Sequence, residues 1–386
     1  MKRLFSGVFI IVIFLFGCTT DQGLKEIISR FKMAYAGDLR ENVFDISYER
    51  LGGVTYVLRG ELDDARLKFE LLDTLRFHGY NIQDSVVVLP HKVSQPLALV
   101  ELSVATMRSE ASHTAPMISQ GLMGMPVKVL KEDGGWAFIQ TPDRYLGWCE
   151  KAALCYMDTV RMVEWKKSPR VMITSRFVSI RNTETDSIVG DAVAGCLLVE
   201  TGREGNKIFV TTPSGVAGYV TASQALAFNR TNFPLKLNEQ KLRTTALSLI
   251  RTPYLWGGTS VLALDCSGFT KTVYGLHGLV LARDASLQAK YGEVIPVDGG
   301  WSQYQVGDLL FFSPCEGSER ITHVGMYLGD SEFIHEAGKV KINSLDSART
   351  NFSLFRLRTL VKVRRVKESY GTVGVVPLLD HPWYIE

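Results

Sequence analysis

The sequence predicts a multidomain α+β protein: a small α+β segment, two small β-barrels in tandem, and a last domain in which helices precede a run of strands. Three observations carry this. The 386-residue length exceeds what one ordinary core accommodates, so several modules are expected. The middle of the chain repeats itself: Gly134, Pro142, Gly147 and Trp148 recur 71 residues later as Gly205, Pro213, Gly218 and Tyr219. After Pro234 the pattern changes from short alternating strands to helical spacing and then to strands again, the order of an α+β domain.

At the start, Lys2 and Arg3 precede an apolar run from Leu4 to Phe16, followed by Gly17-Cys18-Thr19-Thr20. A basic start, a short apolar stretch and a small residue make a secretory signal, and the run is shorter than the ~20 residues that span a bilayer. Leu15-Phe16-Gly17-Cys18 resembles the lipobox of bacterial lipoproteins. That resemblance implies a signal peptide over 1–17, a lipid on Cys18, and a membrane anchor in the cell envelope.

Residues 18–95 read as a small α+β domain. Gly23 to Ala34 and Glu61 to His78 have helical spacing, the latter with Leu62, Leu67, Leu71, Leu72 and Leu75 on one side. Thr55–Leu58 and Ser85–Leu89 read as strands. The two repeats follow at 96–162 and 163–230. Each alternates apolar and polar residues between Gly and Pro turns, as in Trp136–Ile139 and Lys207–Val210, the pattern of a small barrel. They resemble tandem bacterial SH3-type domains. From 235 to 366, Asn238 caps a helix through Ile250, a turn-rich Pro253–Gly258 leads to a helix near Cys266, and strands are expected at 308–312, 322–328, 332–336 and 355–366. The tail, 367–386, gives no signal.

A net charge of +3 with no basic cluster interleaved with aromatics excludes nucleic acid as the expected partner. Of the six cysteines, Cys149, Cys155, Cys196 and Cys315 form no C-x-x-C pair and read as small apolar residues rather than disulfides or metal ligands. Neither a cofactor nor a metal is called for, and a monomer is expected.

The chemistry gathers in the last domain. Cys266, in Leu264-Asp265-Cys266-Ser267-Gly268-Phe269, opens a helix, where the macrodipole favours a thiolate and a lowered pKa. A thiolate needs an acid/base partner, and two histidines offer themselves: His323 in Thr322-His323-Val324-Gly325 and His335 in Ile334-His335-Glu336-Ala337. If the connection around Gly329-Asp330-Ser331 has three residues, both histidines fall on one face of a hairpin, diagonally related. A two-residue turn would set them on opposite faces. On one face they complete a Cys-His-polar triad with Cys266.

These segments, Pro253–Gly258, Asp265–Phe269, Val306–Phe312, His323–Gly329 and Phe333–Ala337, resemble the NlpC/p60 cell-wall cysteine peptidases, in the same order. The resemblance implies a papain-like catalytic domain with Cys266 as nucleophile, His323 as base, His335 as its orienter and Tyr254 at the oxyanion site. With two SH3-type domains ahead, the chain is similar to the γ-D-glutamyl-L-diamino acid dipeptidyl-peptidases, which act on free murein peptides. There the first barrel closes the cleft around a free N-terminal L-alanine. The matching positions are Glu110, Tyr145 and Asp284, with Ser286 as a further polar contact. The plainer alternatives are a solvated carboxylate for Glu110, a barrel-rim residue for Tyr145 and a helix N-cap for Asp284. Two other functions stay open: an endopeptidase on intact peptidoglycan, and a wall-binding lipoprotein with a vestigial triad. The basic stretch Arg356, Arg358, Lys362 and Arg364 reads as a solvated strand face.

Overall fold

The computed structural model describes residues 20–35, 37–372 and 374–386. Cys18 and the signal-like segment lie outside the described residues. No described helix is long and apolar enough to cross a membrane. The chain forms two compact units, divided after His91.

In the first unit the helix Asp21–Tyr35 precedes a hairpin, Phe44–Gly52 against Thr55–Leu62, and the helix Ala65–Phe77 crosses over to a strand, Asn81–Val88, parallel to Thr55–Leu62. Asp64 explains where the second helix starts, because its carboxylate accepts the Arg66 and Leu67 N–H groups that have no partner within the first turn. The sequence pattern extends this helix back to Glu61, but Glu61 and Leu62 belong to the strand, and the cap marks the boundary. Leu67, Leu71, Leu72 and Leu75 are buried as their spacing predicts, against Tyr56, Leu58 and Leu62. The strand Phe44–Gly52 was not expected. Phe44, Ile46 and Tyr48 pack on the core between exposed Asp45, Ser47 and Glu49, so its first half does carry the period-2 alternation of a half-buried strand.

The second unit holds two seven-stranded sheets and a six-stranded one. The first sheet runs Leu154–Met157, Leu97–Val100, Pro126–Asp133, Trp136–Gln140, Leu146–Glu150, Val104–Arg108, Met117–Leu122. The second runs Ala225–Ala227, Arg170–Ile173, Leu197–Glu204, Lys207–Thr211, Ala217–Thr221, Phe177–Arg181, Ile188–Val193, the same topology strand for strand. The repeated glycines have a reason to be glycine. Gly134 and Gly205 both turn a hairpin at φ 53°. A Cβ at Gly147 would lie 3.3 Å from the Arg108 carbonyl oxygen, and one at Gly218 would lie 2.7 Å from that of Arg181, so the facing strands close only over hydrogen.

The six-stranded sheet runs Glu293–Ile295, Leu360–Arg365, Leu309–Phe312, His323–Gly329, Glu332–Glu336, Val340–Ser344, antiparallel throughout. The helix Cys266–Gly275 packs on its central strands, with Phe269, Val273 and Tyr274 buried among Leu309, Phe311, Val324, Met326 and Ile334. Asn238 caps the preceding helix, Glu239–Ser248, by accepting from Lys241 N. One expectation fails here. Residues 354–359 form a short helix, capped by Ser353, and only Leu360–Arg365 is strand. Arg356 and Arg358 therefore do not alternate along a strand face. The tail contributes Val375–Pro377, paired with Leu279–Leu281. Cys149, Cys155, Cys196, Cys266 and Cys315 are free thiols, the first and third of them buried.

Candidate active site

Asp265 fixes where the Cys266 helix begins. Its carboxylate accepts from Gly268 N at 2.7 Å and Ser267 Oγ at 3.1 Å through one oxygen, and from Gly257 N at 3.0 Å through the other. Cys266 is thus the first helical residue. Arg283, 1% exposed, holds the same carboxylate with both terminal nitrogens, at 3.1 and 2.5 Å, and donates to Ser267 Oγ at 3.1 Å. A buried carboxylate is tolerable only when so paired. The Pro253–Gly258 turn packs under this helix: a Cβ at Gly268 would meet the Gly258 carbonyl oxygen at 1.9 Å.

Burial and then the Asp265 charge push the Cys266 thiol up to about 11, against backbone N–H groups of Val324 and Ser267 and the Arg283 charge, which favour thiolate. The lowered pKa expected from the helix start does not appear in the free protein. The same carboxylate that caps the helix sits beside the sulfur, and desolvation outweighs the dipole. The Val324 contact places the sulfur against the strand that begins at His323.

His323 and His335 share a face, as a triad requires, but not by the route expected. The turn has two residues, Asp330 and Ser331, both at positive φ (52° and 66°), and a two-residue turn alone would put the rings on opposite faces. A β-bulge intervenes. Gly329 pairs with Glu332 while Tyr327 pairs with Phe333, so Leu328 is the extra residue, and Gly325 comes opposite His335. The bulge restores the parity, leaving His323 diagonal to His335. His323 Nε2 lies 2.7 Å from His335 Nδ1, and His335 Nε2 lies 2.9 Å from Asn343 Oδ1. Asn343 Nδ2 donates to the Asn351 carbonyl at 2.9 Å, which fixes the amide with its oxygen toward His335.

This chain dictates the tautomers. Asn343 Oδ1 accepts, so His335 carries its proton on Nε2 and accepts on Nδ1. His323 then donates from Nε2 and is left with a lone pair on Nδ1. Desolvation, followed by the Arg356 charge, holds His323 well below the usual histidine range. Desolvation also takes His335 down to about 3, opposed by Asn343. Both rings are neutral at pH 7. A neutral imidazole one residue along the strand from the Val324 N–H that meets the sulfur is placed to take the thiol proton as a nucleophile forms and return it to a leaving group. Sequence reasoning missed Asn343, whose signal was the period-2 alternation of Val340–Ser344: opposite His335 stands Lys341, and two residues on is Asn343.

Tyr254 is 39% exposed. Burial, then the charges of Cys266, Asp265 and Glu336, push its hydroxyl up to about 12, so it lies within electrostatic reach of the cysteine. Tyr145, buried in the first barrel, donates to Asp284 Oδ2 at 3.1 Å. Asp284 occupies the N-cap position of Ala285–Gln288, yet its side chain makes no cap bond. Its carboxylate is turned to the barrel, and the N-cap account fails. Ser286 lies in that short helix, partly exposed. Glu110 is exposed in the bend after Val104–Arg108, with no side-chain bond joining it to Tyr145 or Asp284 in the described residues. The barrel meets the Cys266 region directly. Ser119 Oγ accepts from Arg283 Nε at 3.1 Å, Gln120 Oε1 accepts from Thr259 N at 2.8 Å, and Lys271 pairs with Asp143. Gly257, at φ 79°, would place a Cβ 2.7 Å from the Met117 carbonyl oxygen. Among the described residues no three His, Cys, Asp or Glu side chains gather to hold a metal.

Residues 251–359 match the NlpC/P60 family model, and 107–154 match the bacterial dipeptidyl-peptidase SH3 domain. Dipeptidyl-peptidase 6 of Lysinibacillus sphaericus is 29% identical over 262 residues, covering 64% of this chain and 92% of that protein. The γ-D-glutamyl-L-lysine dipeptidyl-peptidase of Bacillus subtilis is 28% identical over 225 residues, 56% of this chain and 71% of that one. A solved NlpC/P60 family protein from Bacillus cereus superposes with a TM-score of 0.61 at 22% identity, over 70% of this chain and 99% of that chain, and so shares the fold. The chain thus carries an NlpC/P60 domain with a bacterial dipeptidyl-peptidase SH3 domain ahead of it, and is a peptidase.

Proposed function

We propose that the protein hydrolyses the γ-D-glutamyl-L-diamino acid bond of murein peptides with a free N-terminal L-alanine, releasing L-Ala-D-Glu. Residues 235–366 are the catalytic domain and 96–162 and 163–230 the barrels. His323 Nδ1 takes the Cys266 proton as sulfur attacks the γ-carbonyl carbon, and Tyr254 stands by the oxygen that gains charge. The C–N bond then breaks, with the proton passing from His323 to the departing amine. Water, deprotonated by the same nitrogen, releases the thioester, and Cys266 regains its proton.

The observation that carries the substrate assignment is the hydrogen bond from Tyr145 to Asp284. It puts a carboxylate of the catalytic domain against a buried hydroxyl of the first barrel, beside Arg283 and the Cys266 helix. Such a carboxylate suits a primary ammonium. The names of the relatives point the same way. A peptide still amide-linked to muramic acid lacks that ammonium and brings a sugar toward the barrel. The lipid anchor at Cys18, and with it placement in the cell envelope, belongs to the same reading and rests on the sequence.

The test compares L-Ala-γ-D-Glu-diaminopimelate with its N-acetylated form. Losing one charge-assisted contact costs about 1.5–3 kcal/mol, roughly ten- to a hundredfold in rate. The free peptide is therefore cleaved at least tenfold faster, and Asp284→Ala erases much of the difference. Equal rates would instead favour the endopeptidase.

A further inference from the structure

The catalytic domain holds two cations that the proposed chemistry leaves unused, and both face the histidines. Arg356 lies in the short helix after Ser353 with its guanidinium carbon 5.2 Å from the ring centres of both Phe312 and Phe355. Phe312 is in turn 5.9 Å from the His323 ring and is its register partner across the strands. Arg356 is thus half-buried one ring away from His323, close enough to act electrostatically on Cys266, His323 and His335. No carboxylate or carbonyl of the described residues engages its guanidinium. Lys341, opposite His335 on the neighbouring strand, acts on both histidines and makes no ion pair among the described residues.

A cation beside two histidines works against protonating them, so the catalytic pair gains nothing from Arg356. A guanidinium taken partly out of water without an anion is costly, and the two aromatic faces recover part of that cost while fixing its plane. Such a group is preorganised for a carboxylate brought by a ligand.

Its position says which part of the ligand. His323 must reach the departing nitrogen to protonate it, so the half of the substrate that leaves as an amine lies on the His323 side of Cys266. The alanine-binding Asp284 stands on the Arg283 side. Resting on the proposed reaction, we infer that Arg356, supported by Lys341, binds a carboxylate of the departing diamino acid and makes that acid group a requirement of the substrate. Two carboxylates qualify: the α-carboxylate of a tripeptide end, and the side-chain carboxylate that diaminopimelate has and lysine lacks.

Four peptides separate them: L-Ala-γ-D-Glu-L-Lys, its C-terminal amide, L-Ala-γ-D-Glu-meso-diaminopimelate, and that peptide amidated at its α-carboxylate. The wild-type kcat/KM for a peptide with the recognised carboxylate exceeds that for its partner without it by tenfold or more. Acid over amide in the lysine pair assigns the α-carboxylate; diaminopimelate amide over lysine amide assigns the side chain. Arg356→Met shrinks that ratio to about threefold or less, and Arg356→Lys keeps part of it. An undiminished ratio in Arg356→Met, an absence of any ratio in the wild type, or an equal fall on all four peptides would overturn the assignment. A thermal midpoint matching the wild type confirms the fold of each variant.

A second readout separates this inference from the reaction it rests on. Millimolar meso-diaminopimelate or L-lysine slows alkylation of Cys266 by iodoacetamide at pH 9 in the wild type, and Arg356→Met abolishes that protection. If the wild type cleaves none of the four peptides, the proposed reaction fails. Protection that depends on Arg356 would then still support the carboxylate site, and its absence would overturn that too.

Discussion

His323 Nε2 donates across 2.7 Å to His335 Nδ1, and that bond decides which nitrogen of His323 is left for chemistry. The direction of the bond is set two residues away, by the Asn343 oxygen against His335 Nε2. Asn343→Leu frees His335 to adopt either tautomer without touching Cys266 or His323. A ten- to a hundredfold fall in kcat with KM little changed is expected, the scale seen when the partner of a functional imidazole is removed. His323→Ala should cost far more, and His335→Gln an intermediate amount. Imidazole nitrogen shifts check the cause: His335 is the Nε2–H form in the wild type and a mixture in Asn343→Leu. An unchanged spectrum with reduced kcat would detach Asn343 from the tautomer.

The protonation states predict how Cys266 reacts in the free enzyme. With its thiol pushed up to about 11 and both histidines neutral, no thiolate–imidazolium pair exists at rest. Alkylation by iodoacetamide should rise through pH 9 to 11, later than for an ordinary thiol of pKa ~8.5. A plateau reached below pH 7 would show a preformed ion pair. Cys266→Ala should leave the midpoint of unfolding unchanged and activity below about a hundredth of wild type.

Glu336 is wholly buried, and among the described residues neither carboxyl oxygen makes a well-formed hydrogen bond, the Gly338 N–H giving only a weak contact. Desolvation moves its pKa from 4.5 up to about 7, against the Gly338 N–H. The sign follows from linkage. Between pH 4.5 and 7 the folded protein holds a proton that the unfolded chain has released, so the residue costs stability as pH rises through that window. Glu336→Met removes the cost. The variant should be more stable than wild type at pH 8, by about 1–3 kcal/mol, with the gap closing toward pH 4.5. Midpoints of urea unfolding at the two pH values check it; a gap independent of pH would remove the carboxyl from the account.

Arg283→Met leaves Asp265 buried with its backbone and Ser267 partners but without a counter-charge. Removing one member of a buried ion pair destabilises by about 3–5 kcal/mol, here at the cap of the Cys266 helix. Loss of stability should be accompanied by altered iodoacetamide labelling of Cys266, since Arg283 favours its thiolate. Normal stability would mean that water replaces the guanidinium.

What the sequence disclosed of this fold followed from local signals. The Asn238 cap, the helix start near Cys266 and the Glu332–Glu336 strand are legible because each announces itself within a few residues. The 71-residue repeat was legible because its positive-φ turns and its close approach between strands favour glycine at the same places in both copies. The histidine pairing was not decidable, since a bulge at Leu328 changes the count without leaving a mark in composition. Residues 354–359 misled for another reason: Arg356 and Arg358 alternate with Phe355 and Leu357 as a strand would, while the Ser353 cap and the ring of Phe312 select a helical turn. Asn343 meets His335 only through the register of two neighbouring strands, and Arg356 meets Phe312 from a distant part of the chain, so the fold introduces both pairs.

The seam between the first barrel and the Cys266 helix bears on how such chains are assembled. Ser119, Gln120, Asp143 and Tyr145 supply acceptors, a counter-charge and a hydroxyl to Arg283, Thr259, Lys271 and Asp284, and Gly257 makes room for the barrel backbone. The barrel is therefore not an interchangeable cassette. A chimaera taking its barrel from elsewhere must import these four side chains at matching places in the loops and strands, or forfeit the peptidase along with the barrel. Cutting and joining at the boundary between modules, the usual recipe for recombining domains, would divide this enzyme through its working parts.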